Sequence, residues 1–535
     1  MIKHLARLLV NYLAFGFYQP QSWDRQKSYG ADPTRIQNSS VKAIAIVGAG
    51  SAGLAALKSL LDLPIEVRRE WDIVLYEQRR DVGGVWLPDL NDPQPPELPE
   101  TPLYPELRTN TPSPSMTYPH FPFREMTSLY PNHKHVWEYH KDYADHNGLT
   151  HFMRFNTTVL SSAWVGNASH GHWNIAVRNA SGQNETQLFD HLIVANGHNH
   201  YPNIPTWPGQ ENWLASNSEA HEILHSIFWR NATKYKGKTV LVAGAGASGS
   251  DALLHVAPVA KKLFLSLKGD KLPPARVPSS VYARKPEIAN FTSSSVVFAD
   301  GSTSDEIDSI ILATGYEYRV PFLSAGGALP IDEKADSCPE RAPTLTTNLR
   351  YIFPLHEHIF SLADSYPTNA LAFVGLPMLI SNCPSDIAQS LLVAHAIANS
   401  SLLPSREAMV EELRAKETRM RTHGIDPYTI GHRMLRIGGD GEIDSAAQDY
   451  QDGLFEFLKE QKAVPDEGHA FVEPWRRWTT REASVLWAAW RHLESLGDHA
   501  VKAWLRGVKT EADWVHLMKR LVRWELDQSV EVVTP

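Results

Sequence analysis

The run Ala43-Ile-Ala-Ile-Val-Gly-Ala-Gly-Ser-Ala-Gly-Leu-Ala-Ala-Leu57 constrains this chain more than any other stretch. A short β-branched segment, Ile44 to Val47, enters a turn built from Gly48, Gly50 and Gly53, and an Ala/Leu-rich helical pattern follows at once. Gly48 permits the tight turn, Gly50 lets the backbone approach a pyrophosphate, and Gly53 lets the helix pack on the strand. The helix start then aims unpaired N–H groups and the positive end of its dipole at phosphates. Strand, glycine turn and helix in this order are the dinucleotide-binding fingerprint in its working context. A second strand, Trp71 to Glu77, ends on a carboxylate placed to accept hydrogen bonds from ribose hydroxyls.

The device is repeated. Thr239-Val-Leu-Val-Ala-Gly244-Ala-Gly246-Ala-Ser248-Gly249 is again strand, glycine turn and helix start, so two dinucleotides are expected. The strand ending the second unit, Leu263 to Lys268, offers Ser266 or Lys268 where the first offers Glu77. A cation there suits a 2′-phosphate, which points to NADPH, although Asp270 follows closely. Further strands stop at glycine in Ile307 to Gly315 and Leu371 to Gly375, and Cys383-Pro-Ser-Asp386 reads as a helix start with Pro384 and Asp386 in the first turn.

A chain of 535 residues exceeds what one hydrophobic core serves, and its 43% hydrophobic and 21% charged residues are ordinary for a soluble protein. The net charge of -9 gives no electrostatic reason for a nucleic-acid partner. With Cys338 and Cys383 alone there is no disulfide framework, no zinc-spaced cluster and no dithiol close in sequence.

Leu5, Leu8, Leu9, Tyr12 and Leu13 follow helical spacing, which favours an amphipathic helix on the protein body over a signal sequence or a membrane-surface tether through residues 1–20. A cytoplasmic location is the favoured reading. Glycosylation sequons at Asn38, Asn156, Asn167, Asn179, Asn184, Asn231, Asn290 and Asn399 keep the secretory route and the endoplasmic reticulum membrane open.

Gly83 and Gly84 allow another close approach of backbone, with Trp86 as a flat surface beside them. Pro88 to Pro119 is a proline-rich irregular stretch containing Leu107-Arg-Thr-Asn110-Thr-Pro, the kind of long loop that carries function. Helical spacing resumes at Val136, Tyr139, His140 and Tyr143, and strands are expected near Thr157 to Leu160 and Trp173 to Val177. Pro202, Pro205 and Pro208 mark an exit. Beyond residue 465 a tail holds seven of the 16 tryptophans, and Thr479 to Glu482 and Thr510 to Asp513 read as capping boxes opening helices. Trp514, Leu517, Leu521 and Trp524 share a face expected to pack on the body.

The order of these motifs resembles the flavin-containing monooxygenases, and among them the fungal members. The likeness runs from Val41 to Leu458 through both fingerprints, Gly83 to Trp86, the Asn110 loop, Ala195-Asn-Gly197 and Ala313-Thr-Gly-Tyr316. The tail matches no part of that pattern.

The resemblance implies an α/β fold of two Rossmann-like domains, the NADPH domain inserted in the FAD domain, with a helical C-terminal extension. The segments are then 1–40, 41–208 and 316–464 (FAD), 209–315 (NADPH) and 465–535. FAD would contact Gly48, Gly50, Ser51, Ala52, Gly53 and Glu77, then Gly84, Val85, Trp86, Asn110 and Gln389, the last on a helix whose start could face the flavin's electron-rich end. NADPH would contact Gly244, Gly246, Ser248, Gly249, Ser266 and Lys268. Asn110 maps onto the family's catalytic asparagine, which helps to hold the oxygenated flavin.

The implied activity is NADPH- and dioxygen-dependent oxygenation of a soft nitrogen or sulfur nucleophile of a small molecule through a C4a-hydroperoxyflavin. One motif departs from the pattern. Glu219 and His221 stand where the family's identifying sequence has Phe and Gly, while His225 and Ser226 match. Trp229 leans toward the related Baeyer–Villiger monooxygenases, which act on ketones, but Arg230 follows it where they place Pro or Asp. A redox-sensing flavoprotein that oxygenates nothing is the reading from a different class.

Overall fold

Ile44, Ala45 and Ile46 are fully buried although they alternate between the two faces of their strand, the signature of a strand covered on both sides in a parallel sheet. That strand, Lys42–Val47, lies between Trp71–Tyr76 and His191–Val194, both parallel to it. This is a computed structural model describing residues 41–269, 277–337, 343–435 and 446–531. The chain divides into a unit of residues 1–41 and a unit of residues 42–535, and every element below belongs to the second. The expected N-terminal helix, Asp270 and Cys338 lie outside the described residues.

The fold is mixed α/β, built on a largely parallel sheet with an antiparallel edge and a second, all-parallel sheet, with a helical C-terminal region. The first sheet has seven strands in the order Leu355–His356, Phe360–Ser361, Leu371–Phe373, His191–Val194, Lys42–Val47, Trp71–Tyr76 and Met153–Arg154. The second has five, in the order Ala283–Lys285, Lys262–Ser266, Thr239–Ala243, Ser309–Leu312 and Glu222–His225, each neighbour parallel to the next. All five of its strands fall in sequence between two neighbouring strands of the first sheet, His191–Val194 and Leu371–Phe373.

Each glycine turn passes into a helix, Ser51–Asp62 in the first sheet and Ala247–Val256 in the second. The first of these packs against Asn382–Ala398, where Leu54, Ala55 and Leu57 share a core with Leu392, Val393 and Ala396. An antiparallel sheet of Thr158–Gly166, Gly171–Arg178 and Asn184–Phe189 fulfils the two strand expectations there. Helix His133–His146 buries Val136, Tyr139, His140 and Tyr143, as its spacing requires.

The tail forms helices Pro474–Arg481, Ala483–Ser495, Asp498–Leu505 and Glu511–Glu531. Trp490, Trp514, Leu517 and Leu521 share a core with Leu129 and Tyr130 of the body, so the aromatic stripe is packed inward as expected. Among the described residues no helix is long and apolar enough to cross a membrane.

Two helix-start readings are corrected. Helix Asn382–Ala398 begins after Ser381, so Pro384 sits in its first turn but Asp386 lies one position beyond it. A proline there costs little, because the first N–H groups of a helix have no partner inside it. Thr479 opens no helix; it lies within Pro474–Arg481, and its hydroxyl donates back to the Trp475 carbonyl at 2.8 Å. Glu473 stands at that helix's N-cap, because Pro474 supplies the stronger start signal. The second box is real: the Thr510 hydroxyl accepts from the Asp513 N–H at 3.2 Å and the Asp513 carboxylate accepts from the Thr510 N–H at 2.9 Å.

Candidate functional site

Parallel pairing aligns the tips of three strands, with Val47 opposite both Tyr76 and Val194. The first glycine turn is therefore fastened on both sides. The Gly48 N–H donates to the Tyr76 carbonyl at 2.8 Å, and the Ala195 N–H donates to the Val47 carbonyl at 2.9 Å. A β-carbon on Gly53 would lie 1.8 Å from the Gly48 carbonyl oxygen, so only glycine lets the helix start so close to the strand.

Glu77 is buried, and its two carboxylate oxygens accept from the N–H groups of Ala49 at 2.7 Å and Arg79 at 2.8 Å. Burial raises its pKa while those two bonds and the Arg79 charge oppose the rise. Glu77 thus clamps the glycine turn itself, with lone pairs left on each oxygen for a ribose hydroxyl.

Gly84 closes over this turn. Its φ is +51°, and a β-carbon on it would stand 2.9 Å from the Gly50 Cα. The Gly83 N–H donates to the Ala49 carbonyl at 2.9 Å. Buried Arg79 fixes the Gly84 carbonyl at 3.0 Å and is paired with Asp89 and Glu100. Val85 and Trp86 continue Gly84 as a single short turn, both half-buried.

Near Ser51, at the start of the first helix, lies Asp386, 2% exposed, with one carboxylate oxygen that has no hydrogen-bond partner. Burial pushes its pKa up to about 7, with a hydrogen bond from Ser51 opposing. The buried orphan acceptor fits a hydroxyl donor and the glycine cradle fits phosphates, a combination that a dinucleotide supplies. Gln389 is placed differently. It is fully buried, accepts from the Gly375 N–H at 3.2 Å and donates to the carbonyl and hydroxyl of Ser385, so its amide is engaged within the protein.

The second turn repeats the strand-tip bonds of the first. Gly244 donates to Ser266 at 3.1 Å, Ala313 donates to Ala243 at 2.9 Å, and a β-carbon on Gly249 would lie 2.1 Å from the Gly244 oxygen. This register corrects the sequence alignment of the two units. Ser266 corresponds to Tyr76, and the position of Glu77 falls to Leu267, whose N–H donates to Lys285 as that of Glu77 donates to Arg154.

Leu267 is apolar and buried, so the carboxylate is absent as expected. The Ser266 hydroxyl donates to the Pro286 carbonyl at 2.7 Å. Lys268 is exposed at the tip, and Arg284 reaches the Gly269 carbonyl beside it at 3.0 Å. The turn is open: a β-carbon on Gly246 would meet nothing within 4 Å, and Ser248 is half-buried beside it.

The proline-rich loop spans both turns. Asp89 and Glu100 hold Arg79 at the first, and the Tyr104 hydroxyl donates to Asp251, on the helix after the second, at 2.6 Å. Asn110 sits at an exposed bend, its carboxamide oxygen 3.3 Å from the Thr111 hydroxyl. The bend is set by the Thr109 N–H donating to Pro131 at 3.0 Å and the Ser113 N–H donating to Leu129 at 2.7 Å. Further on, the Tyr118 hydroxyl donates to the Ser51 carbonyl at 2.8 Å, which ties the loop to the first helix start.

His225 of the identifying motif is buried, with Nδ1 accepting from the Ile227 N–H at 3.1 Å and Nε2 3.0 Å from the Gly315 carbonyl. This bonding requires the proton on Nε2, and burial pushes the pKa down to about 4. His221, where the pattern has glycine, stacks on Trp213 with centroids 3.9 Å apart.

Sequence reasoning assigned no role to Arg79, Tyr104 and Arg284, and read Asp386 only as a helix-start residue. Arg79 stands two positions after Glu77, which was its only signal, whereas Arg284 is brought beside Leu265 only by parallel strand pairing. Cys383 is buried and its thiol pKa is pushed well up by burial. Among the described residues no group of His, Cys, Asp and Glu could hold a metal ion. A cavity of about 230 Å³ lined by Tyr351, His358, Lys416 and Tyr450 includes none of the site residues above.

The family model described as FMO-like, flavin-binding monooxygenase-like, matches residues 41–283 and 267–430. Flavin-containing monooxygenase FMO GS-OX3 of Arabidopsis thaliana is 31% identical over 415 residues, 74% of this chain and 82% of that protein. Flavin-containing monooxygenase FMO GS-OX5 of the same plant is 29% identical over 444 residues, 77% of this chain and 84% of that protein. The fold is shared with S-allyl-L-cysteine S-oxygenase from Allium sativum, at a TM-score of 0.65 and 24% identity over 91% of this chain and 99% of that one.

Proposed function

The chain belongs to the flavin-binding monooxygenase-like family and is an FAD- and NADPH-dependent monooxygenase, and from that premise we propose that it oxygenates a nucleophilic nitrogen or sulfur atom of a small molecule. The likeness to the S-allyl-L-cysteine S-oxygenase supports the sulfur reading, and the observation that carries the division of cofactors is the contrast between the two glycine turns. The first is covered by Gly84 and backed by the orphan carboxylate of Asp386, as suits a resident cofactor; the second, at Gly246, is open, as suits a dinucleotide that comes and goes.

Bound FAD supplies the redox chemistry: reduced by NADPH, it activates dioxygen so that one oxygen atom goes to substrate and the other leaves as water. The protein's part is to bind, orient and keep water out. Gly48, Gly50 and Gly53 hold the pyrophosphate at the first helix start, Ser51 and Ala52 form that start, and Glu77 takes the ribose. Gly84, Val85 and Trp86 cover it. Gly244, Gly246, Ser248 and Gly249 take the pyrophosphate of NADPH, while Lys268 with Arg284 faces its 2′-phosphate.

Asn110 is assigned the catalytic place, its carboxamide donating to the oxygen that is transferred and shielding it from water. Gln389 acts through Gly375 and Ser385 as a support for the loop beside the first turn.

The test is product analysis with the holoenzyme, NADPH and isotopically heavy dioxygen, offering a thioether, a tertiary amine and a cyclic ketone. One heavy oxygen per NADPH in a sulfoxide or N-oxide is the expected result. A labelled lactone or ester without either product transfers the assignment to Baeyer–Villiger chemistry, and hydrogen peroxide alone with every substrate overturns the oxygenase reading.

A further inference from the structure

The tail beyond residue 465 lies outside the family match, which ends at 430, yet it reaches the loop that carries Asn110. Arg476, on helix Pro474–Arg481, is 5% exposed. Its guanidinium donates to the Pro114 carbonyl at 2.9 Å and to the Thr117 hydroxyl at 3.1 Å, and its Nε donates to Glu473 at 2.8 Å. Thr117 in turn donates to the same Pro114 carbonyl at 2.8 Å, so the fork and the turn close a ring of bonds.

Residues 113–117 form the short turn that directly follows Asn110-Thr111-Pro112. The helix carrying Arg476 is itself anchored, since Arg477 pairs with Asp449 and Asp452 and Gln448 donates to Thr480 at 2.8 Å. Arg108–Glu494 adds another tie between tail and loop, and Lys509–Glu125 one just beyond the loop.

Burying a guanidinium carries a desolvation cost. The tail has a cheaper way to attach, through the apolar core shared with Leu129 and Tyr130. What the fork adds is geometry: two donors in a fixed plane dictate where the Pro114 carbonyl and the Thr117 hydroxyl stand. Backbone bonds hold the segment as far as Ser113, through Thr109 to Pro131 and Ser113 to Leu129, and beyond Ser113 the fork fixes the turn that those bonds lead into.

We propose that Arg476 is a positioning residue through which the tail sets the Asn110 loop, making coupling of NADPH oxidation to oxygenation depend on the tail. This rests on the catalytic reading of Asn110.

The test uses holoenzyme of the wild type, Arg476→Met, Arg476→Lys, Thr117→Val, Asn110→Ala and the Arg476→Met/Asn110→Ala double variant. FAD content, amide exchange along the chain, and hydrogen peroxide formed per NADPH at saturating substrate are read on each. In Arg476→Met, exchange at Thr109 and Ser113 is expected to rise about tenfold or more, as the loss of one buried charged bond implies. The amides around Trp490 and Leu517 stay protected, FAD stays bound and the peroxide fraction rises.

Arg476→Lys, which keeps the charge but not the fork, falls between Met and wild type. The double variant leaks no more than Asn110→Ala alone. Wild-type exchange and coupling in Arg476→Met, or additive leakage in the double variant, overturns the proposal. If Arg476→Met loses protection throughout the tail, Arg476→Lys and Thr117→Val decide by the same two readouts. Wild-type coupling in Asn110→Ala instead overturns the catalytic reading, and loop exchange in Arg476→Met then decides by itself whether the fork holds the turn.

Discussion

Gly50 and Gly84 stand back to back: a β-carbon on Gly84 would lie 2.9 Å from the Gly50 Cα, backbone against backbone, with Gly84 in the left-handed region at φ +51°. Neither neighbour is a flexible side chain that could yield. The covering of the first turn therefore depends on the absence of a side chain at Gly84, whereas a β-carbon on Gly50 would meet the Gly84 Cα at 3.6 Å, an ordinary contact.

Gly84→Ala should lower the FAD content of the purified protein by about tenfold or more, since left-handed strain alone costs roughly 1–2 kcal/mol. Gly246→Ala is the control, because a β-carbon there meets nothing within 4 Å. It should keep FAD and raise the KM for NADPH. Flavin absorbance per polypeptide and NADPH kinetics separate the two.

Asp386→Asn should change the pH dependence of stability in flavin-free protein. The folded pKa of Asp386 is raised from 3.8 to about 7, so the folded state holds a proton that the unfolded chain releases. Its favourable contribution is fully present below about pH 4 and lost by the time pH has risen through about 7. The Asn variant, which cannot ionise, should match the wild type near pH 4 and exceed it above pH 7, by roughly 1–4 kcal/mol. Melting curves across that range check it, and equal differences at both ends would rule out the buried carboxylate as the cause.

Asn110→Ala should keep FAD, because the backbone bonds of Thr109 and Ser113 that fix its bend survive the substitution. Hydrogen peroxide per NADPH should rise, with oxygenated product falling by about 10²-fold or more if its amide acts as an oxyanion-type donor. Peroxide and product assays on the same reaction measure both. A variant as well coupled as the wild type would remove Asn110 from the catalytic role.

Lys268→Ala should raise the KM for NADPH by about tenfold, the worth of one charge-assisted hydrogen bond, and leave that for NADH unchanged. Arg284→Ala should act in the same direction. Parallel loss with both nucleotides would place these cations elsewhere than the 2′-phosphate.

Much of the fold was legible because its signals are local. Gly48 and Gly244 each follow a short β-branched run, and the helical face of Val136, Tyr139, His140 and Tyr143 lies within two turns. Where a local signal had a rival, it misled. Thr479 and Glu482 have the spacing of a capping box, but Pro474 had already started that helix. Ser266 or Lys268 was set against Glu77 from the polar residues at the strand end, and only the ladder, with Gly244 bonded to Ser266 as Gly48 is to Tyr76, showed that Leu267 holds the position.

By itself the sequence determined that two dinucleotides are bound, that the second site lacks the carboxylate of the first, and that a proline-rich loop carries Asn110. These follow from residue types whose requirements are met within a few positions of the chain. Tertiary structure decided that Gly84 lies on Gly50, that Asp386 is buried with an oxygen unpaired, and that Arg476 grips the turn beyond Asn110. Each of those is a contact or an environment made by segments far apart in sequence, and burial and hydrogen-bond geometry between such segments are set only when the sheets and helices have packed.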